Sequence, residues 1–401
     1  MNTKPQTATE RLFSGLSTNT FLLALASLFA DISTEMQYPV LPTFLTQVLG
    51  ATGTIVGLID GCAVALQNIV QGFSGTLSDR LRRRKPVALC GYFLQAIGKP
   101  FTGLASSWPE AFGARCLDRL GAGSRSPPRD ALIASSADEK DRGRAFGLEG
   151  VGDNAGAFLG PIVTVLLLYT LHIQIRWVFY LTVFPALMAF LMILLVRERP
   201  TPVAAKVKLD TSLRQFPRGY WAYLLVTAIF SIGNSSNAFL LLRTRDSGAS
   251  LETTILVYAA FNLVAALVSY PAGTLSDRFG RRNVLIACFG IFLVTYLGFA
   301  ITSTFLVMAA MFVLYGLYQG TSRAVGKAFA SDFVSDAHRA SGIGWYNTTV
   351  GVLGLAASLV AGILWDHIGH AAVFYYGAVF ALFGMLALIF MIPDTRPVAS
   401  T

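Results

Sequence analysis

The hexapeptide GTLSDR occurs twice in this chain, at residues 75–80 and again at 273–278. Basic residues follow each copy, LRRRKP at 81–86 and FGRRNV at 279–284. Each copy closes one long apolar run and precedes the next. Two copies about two hundred residues apart divide the chain into two related halves, each with room for about six apolar spans.

Composition agrees with a membrane location. The chain has 401 residues, 54% hydrophobic and only 13% charged, whereas a soluble domain is about 25% charged. Apolar runs of ~20 residues, enough to cross ~30 Å of hydrocarbon, recur along its whole length. The net charge of +9 does not mark a nucleic-acid surface, because the cations form no single patch with interleaved aromatics. They alternate between loops, with roughly twenty Lys and Arg on one side against about three on the other. This asymmetry places both termini, both GTLSDR segments and the central linker in the cytoplasm of a multi-pass protein of the cytoplasmic (inner) membrane. Cys62, Cys90, Cys116 and Cys288 lie inside apolar segments and read as core thiols, with neither a disulfide framework nor metal spacing. The amino-terminal apolar run continues into a full span and reads as no cleavable signal. No cofactor or metal is expected.

The expected class is an all-α integral membrane protein of 12 transmembrane helices in two pseudo-symmetric six-helix halves. The spans are α1 at about 17–45, α2 at 52–76, α3 at 86–106, α4 at 108–136, α5 at 143–170 and α6 at 177–196. In the second half α7 spans 218–241, α8 253–275, α9 284–303, α10 305–332, α11 339–366 and α12 371–392. Residues 1–196 and 218–401 are the halves, and 197–217, charged and proline-containing, is a cytoplasmic linker. A second echo supports the duplication: DRGRAFG at 141–147 opens α5 and HRASGIG at 338–344 opens α11. A monomer is expected, with the lipid bilayer, a small-molecule substrate and protons as its partners.

The segment from Gly273 to Arg282 fits G-x-L-x-D-R-x-G-R-R in full, and the copy from Gly75 departs once, with Arg82 where glycine is usual. This pattern resembles the signature of the major facilitator superfamily. Arg115 with Gly121 and Gly123 is similar to that family's α4 motif. Gly147, Gly156, Gly160 and Pro161 are similar to its antiporter motif, although Thr164 and Val165 replace the final glycine pair. DISTEMQYPVLPTFL (31–45), SRSPPRDALIA (124–134), GNSSNAFLLLR (233–243) and YGLYQGT (315–321) resemble a bacterial subgroup of its uncharacterised permeases. The resemblance implies substrate binding between the halves, and α1 and α4 as cavity helices.

An ionisable side chain facing lipid costs ~2.5–3.5 kcal/mol on insertion scales, so each one at depth must face a cavity or a partner. Asp31, Glu35 and Tyr38 lie on one stripe of α1, followed by Pro39 and Pro42, which loosen its outer end. Asp60 and Gln67 share a face of α2, and α3 has Lys99. Arg115, Asp118, Arg125 and Arg129 form a stripe on α4 beside Asp130, and Glu149 and Asp153 are i,i+4 on α5. Asp31, Glu35, Asp60 and Arg115 are the proton-coupling candidates, with Arg115 the expected partner of Asp31. Tyr38, Gln67, Lys99, Arg115, Arg125, Asn234, Asn237, Arg323, Tyr346 and Asn347 are the substrate-binding candidates. The alternative is that these charges only neutralise one another and hold helices in register.

Gly75, Asp79, Arg80, Arg83 and Asp130, with Gly273, Asp277 and Arg278, are the expected gate. The two aspartates would close the cytoplasmic side, and the arginines would pair with Asp130. No Walker A motif or nucleophile–base set is present, so the chain is not read as an enzyme. The leading reading is proton-coupled efflux of a small polar or amphipathic organic ion. The alternatives are import of a nutrient or metabolite, and a non-transporting sensor built on the same fold.

Overall fold

The computed structural model describes residues 16–81, 83–137, 141–198, 216–334 and 339–393, the side chains of 76, 79, 80 and 339–341 excepted. The linker expected at 197–217 falls mostly outside the described residues. Twelve helical rods run in chain order. Helix α1 (Thr18–Gln37) starts on Ser17, whose side chain accepts from the Thr20 N–H. It breaks at Tyr38–Val40, around Pro39, and resumes as Leu41–Thr43 and Phe44–Val48. Then follow α2 (Gly53–Leu81), α3 (Arg84–Leu104), α4 (Trp108–Ser136), α5 (Arg142–Val165, continued to Thr170) and α6 (Ile175–Leu181 and Val183–Leu195). The second half has α7 (Arg218–Gly233 and Ala238–Asp246), α8 (Leu251–Phe279), α9 (Arg281–Ile301), α10 (Phe305–Asp332), α11 (Arg339–His367) and α12 (His370–Met391). The polar run Asn234–Asn237 separates the two pieces of α7, because its side chains bond elsewhere than along a helix.

Among the described residues nine helices are long and apolar enough to cross a membrane. The three below that threshold are α1, α3 and α4. These carry most of the amino-terminal half's buried charges, among them Lys99, Arg115, Asp118, Arg119 and Arg125.

The two copies of GTLSDR correct one expectation: they are helical rather than loops. They form the last turns of α2 and α8, and both helices are 29 residues long. Ser78 donates back to the Gly75 carbonyl at 2.8 Å and Ser276 to that of Gly273 at 2.7 Å. Phe279 and Arg281 are then separated by Gly280 alone, at a φ of 85° that side chains resist. In the first copy two residues, 82 and 83, separate Leu81 from Arg84. After each turn an arginine ties the helix it opens to the following one. Arg84 donates to the Ala131 carbonyl at 3.1 Å, and Arg281 donates to that of Ala328 at 2.8 Å.

The halves meet along α2 against α11 and α5 against α8. Glycine permits the first seam. A Cβ on Gly57 would lie 2.1 Å from the Ser358 carbonyl oxygen, and one on Gly362 would lie 2.5 Å from Thr54 Cα. At the end far from GTLSDR, Asp366 of α11 caps α2 of the other half. It accepts from the Gly53 N–H (2.8 Å), the Thr54 N–H (2.7 Å) and Thr54 Oγ1 (2.6 Å). The seam does not continue to the GTLSDR end. Gly351 meets Asn68, but Gly344, two turns earlier on the same face, has nothing within 4 Å. Among the described residues the molecule is therefore closed at the Asp366 end and open at the GTLSDR end.

Replacing an N-cap carboxylate costs about 0.5–2 kcal/mol. Asp366→Ala is accordingly expected to speed amide hydrogen exchange in the first turn of α2 roughly tenfold, with the rest of α2 unchanged. Unaltered exchange at residues 53–57 would remove Asp366 as the latch.

Candidate functional site

Helices α1 and α4 are antiparallel, so each step up one is matched by a step down the other. Ser27 accepts from Arg129 (3.0 Å), Asp31 faces Arg125 (3.5 Å), and Gln37 donates to Asp118 (3.3 Å). This register corrects the expected partner of Asp31. Arg115 lies ten residues from Arg125, ~15 Å along the helix, and pairs instead with Asp60 (3.3 Å) and Asp118 (3.1 Å). Asp153 of α5 lies near Asp31.

Asp118 is the hub of a closed network. It is fully buried and accepts from Arg119 (2.7 Å), Arg115, Gln37 and Gln95 (3.5 Å). Gln67 in turn accepts from Arg119 at 3.0 Å. Lys99 is also buried and donates to Ser33 Oγ (2.9 Å) and Thr34 Oγ1 (3.0 Å). Arg125 covers the Tyr92 ring at 4.8 Å and donates to its hydroxyl. Arg129 pairs with Glu149 (3.0 Å) and Asp130 (2.8 Å). Lys99, Arg115 and Arg125 thus sit inside the amino-terminal half, not on the open space between the halves. Tyr346 is likewise buried, stacked on Tyr223 at 6.0 Å.

Two carboxylates do reach the other half. Asp60 accepts from Ser236 Oγ at 2.6 Å and from Tyr38 at 3.3 Å. Glu35 accepts from Tyr258 at 2.8 Å and Asn262 at 3.4 Å, both on α8. Tyr38 stacks on Tyr258 at 5.6 Å, with Arg115 over its ring. These contacts sit just inside the closed end. In the carboxyl-terminal wall Asn234 donates to Tyr318 (2.9 Å) and Asn237 accepts from Tyr315 (2.8 Å). Asn347 is half-buried, and Arg323 and Lys327 are exposed.

The expected gate is only partly described, since the side chains of Asp79 and Arg80 lie outside the described residues. Gly75 packs on Pro127 of its own half, and Gly273 has nothing within 4 Å. Asp277 lies 3.7 Å from Arg281, again in its own half. Arg278 lies over Phe279, and Arg83 is exposed at the start of α3. Among the described residues Asp130 pairs with Arg129, its chain neighbour, rather than with Arg83, while the expected partner Arg80 has its side chain outside them. Asp118 and Asp153, from the charged stripes of α4 and α5, join the site, as does Ser236 of the polar run in α7, while Tyr258 is the one that sequence does not single out. Tyr258 and Asn262 are four apart on one face of α8, a spacing that is available in the sequence.

The family model for the Major Facilitator Superfamily matches residues 23–242 and 223–401, almost the whole described length. The chain belongs to this superfamily. An uncharacterized MFS-type transporter of Methanocaldococcus jannaschii is 33% identical over 382 residues, covering 94% of this chain and 95% of that one. A probable 4-methylmuconolactone transporter of Cupriavidus pinatubonensis is 27% identical, covering 88% and 85%. The multidrug resistance protein MdtG of Serratia proteamaculans is 29% identical over 67% of this chain and 68% of its own. The solved structure of the nucleoside transporter NupG superposes with a TM-score of 0.78 over 94% of this chain and 99% of that one, at 14% identity. The chain is a membrane transporter of this superfamily, whose members are not enzymes.

Removing one partner from a buried ion network leaves uncompensated charge, at a cost of about 3–5 kcal/mol. Asp118→Asn is expected to lower the unfolding midpoint of the detergent-solubilised protein by that equivalent. A midpoint within a degree of the parent would show that Asp118 does not hold the network.

Proposed function

We propose that this chain is a proton-coupled secondary carrier that moves a small polar or amphipathic organic ion by alternating access. The observation that carries this reading is the pair Glu35 and Asp60. Both are carboxylates at membrane depth, and both accept hydrogen bonds from the opposite half. A carboxylate accepts such bonds about twice as strongly as a neutral carboxyl group. Protonation therefore weakens closure at the Asp366 end, which ties proton binding to the position of the halves. The positive-inside asymmetry supports a GTLSDR end that faces the cytoplasm of the inner membrane. Export is the direction we favour, on the similarity to MdtG and the partial glycine motif of α5.

Glu35→Gln and Asp60→Asn mimic the protonated state. Each is expected to abolish accumulation driven by a pH gradient in proteoliposomes and to leave counterflow exchange measurable. If both variants accumulate substrate at the parental rate, the coupling assignment is wrong.

In the opposite conformation the GTLSDR ends come together, and we assign Asp79 and Asp277 to that closure. Asp277→Ala should then hold the protein open as seen here. A cysteine at position 344 would label faster in the variant, and equal labelling would reject the gate.

A further inference from the structure

Every arginine at membrane depth on α4 has a carboxylate within 3.5 Å: Arg115, Arg119, Arg125 and Arg129. On α10 the two cations at comparable depth, Arg323 and Lys327, are exposed. Among the described residues neither makes an ion pair within 4 Å. The difference follows from register. The sequence pairs Ser124–Arg125 with Ser322–Arg323, but packing pairs Gly123 with Gly320, one residue out of step. A Cβ on Gly123 would meet the Gln67 carbonyl at 2.7 Å, and one on Gly320 the Ala265 carbonyl at 2.4 Å. Arg323 and Lys327 therefore occupy the directions of Ser126 and Asp130, not those of Arg125 and Arg129. They point across the open space at the other half. Glu35 and Asp130 are carboxylates of the other half on that side, and among the described residues neither pairs with Arg323 or Lys327 within 4 Å.

We propose that Arg323 and Lys327, four residues apart on one face of α10, bind the anionic group of a soluble organic acid, the substrate of this carrier. The inference rests on the carrier reading above. Cations this deep are retained only where something compensates their desolvation, and here the compensating charge is the ligand's. An arginine fork and a lysine one turn apart suit a carboxylate, sulfonate or phosphate ester.

The test is binding at fixed pH, without transport. Unfolding midpoints of purified protein in phosphatidylcholine nanodiscs would be followed against benzoate, glutarate and phenyl phosphate, with choline as the cationic control. At least one acid should stabilise the parent. Arg323→Gln and Lys327→Gln should each raise its half-saturating concentration tenfold or more. Glu35→Gln should lower that concentration, because it removes a negative charge that faces the same cations. Anion binding unchanged in Arg323→Gln and Lys327→Gln overturns the site, as does stabilisation by choline alone or by no acid. A response to phosphatidylglycerol in the nanodisc with none to soluble acids overturns it in favour of a lipid headgroup. Equal loss in Glu35→Gln and Arg323→Gln would make Arg323 a latch on Glu35 and also overturn it. Intact anion binding with no flux in proteoliposomes would refute the carrier reading and leave the site standing.

Discussion

A charge cannot be left in hydrocarbon, and the arrangement of the amino-terminal half follows from that. Helix α4 carries four arginines, each of which must meet an acid. The acids come from α1 (Asp31), α2 (Asp60), α5 (Glu149) and α4 itself (Asp118 and Asp130). Satisfying them fixes which helices surround α4 and in what register. The carboxyl-terminal half has the same fold without that constraint. Its core is a run of stacked rings, including Phe230, Phe289, Phe292, Tyr296, Tyr315 and Tyr318. One half is organised by ion pairs with directional geometry, the other by apolar packing. Alternating motion is easiest between two rigid bodies, and both solutions give rigidity.

Helices in a membrane gain little from excluding water, so close approach has to supply their attraction. Two glycine stripes do this here, in different service. Gly152, Gly156 and Gly160 of α5 set their missing side chains against the carbonyls of Ala24, Leu28 and Ile32 on α1. That seam lies within one half and persists. It also accounts for much of the α5 glycine pattern by packing alone. Gly53, Gly57 and Gly61 face α11 across the halves, and that seam must come apart in every cycle. The difference lies in what surrounds each stripe. The α1–α5 seam is backed by Thr164 donating to the Met36 carbonyl at 2.7 Å and by the ion pairs of α4. The α2–α11 seam is fastened at its rim by one carboxylate on one helix terminus.

The fold was legible because repetition, span length and charge asymmetry are one-dimensional signals. The spans of α4 and α10 match the structure at both ends. What sequence did not carry was depth. Asp31 and Arg115 are both charged residues of cavity-side helices, and only the antiparallel register of α1 and α4 shows that they sit at different levels. The one-residue slip of α10 is a similar case, since the Ser–Arg match between the halves suggests a different facing. The extension of α2 and α8 through GTLSDR is hidden because a helix leaving the membrane loses its apolar signal while keeping its backbone bonds. Tyr258 is hidden because a lone tyrosine in an apolar run is usually packing.

On the carrier reading, Glu35 and Asp60 are not equivalent. Asp60 has Arg115 in its own half at 3.3 Å, and that pair survives any motion of the halves as rigid bodies. Losing Ser236 costs Asp60 one neutral hydrogen bond and leaves its charge compensated. Glu35 accepts only from Tyr258 and Asn262, both in the other half, and among the described residues has no ion pair within 4 Å. Parting the halves at the Asp366 end removes both donors at once. An ionised Glu35 would then lose both hydrogen bonds with no ion pair in its own half to offset the cost. Taking a proton removes that cost, and closing again restores the donors and expels the proton. Of the two coupling carboxylates, Asp60 therefore holds the closed end with its charge already compensated, and Glu35 carries the larger share of the dependence on protons.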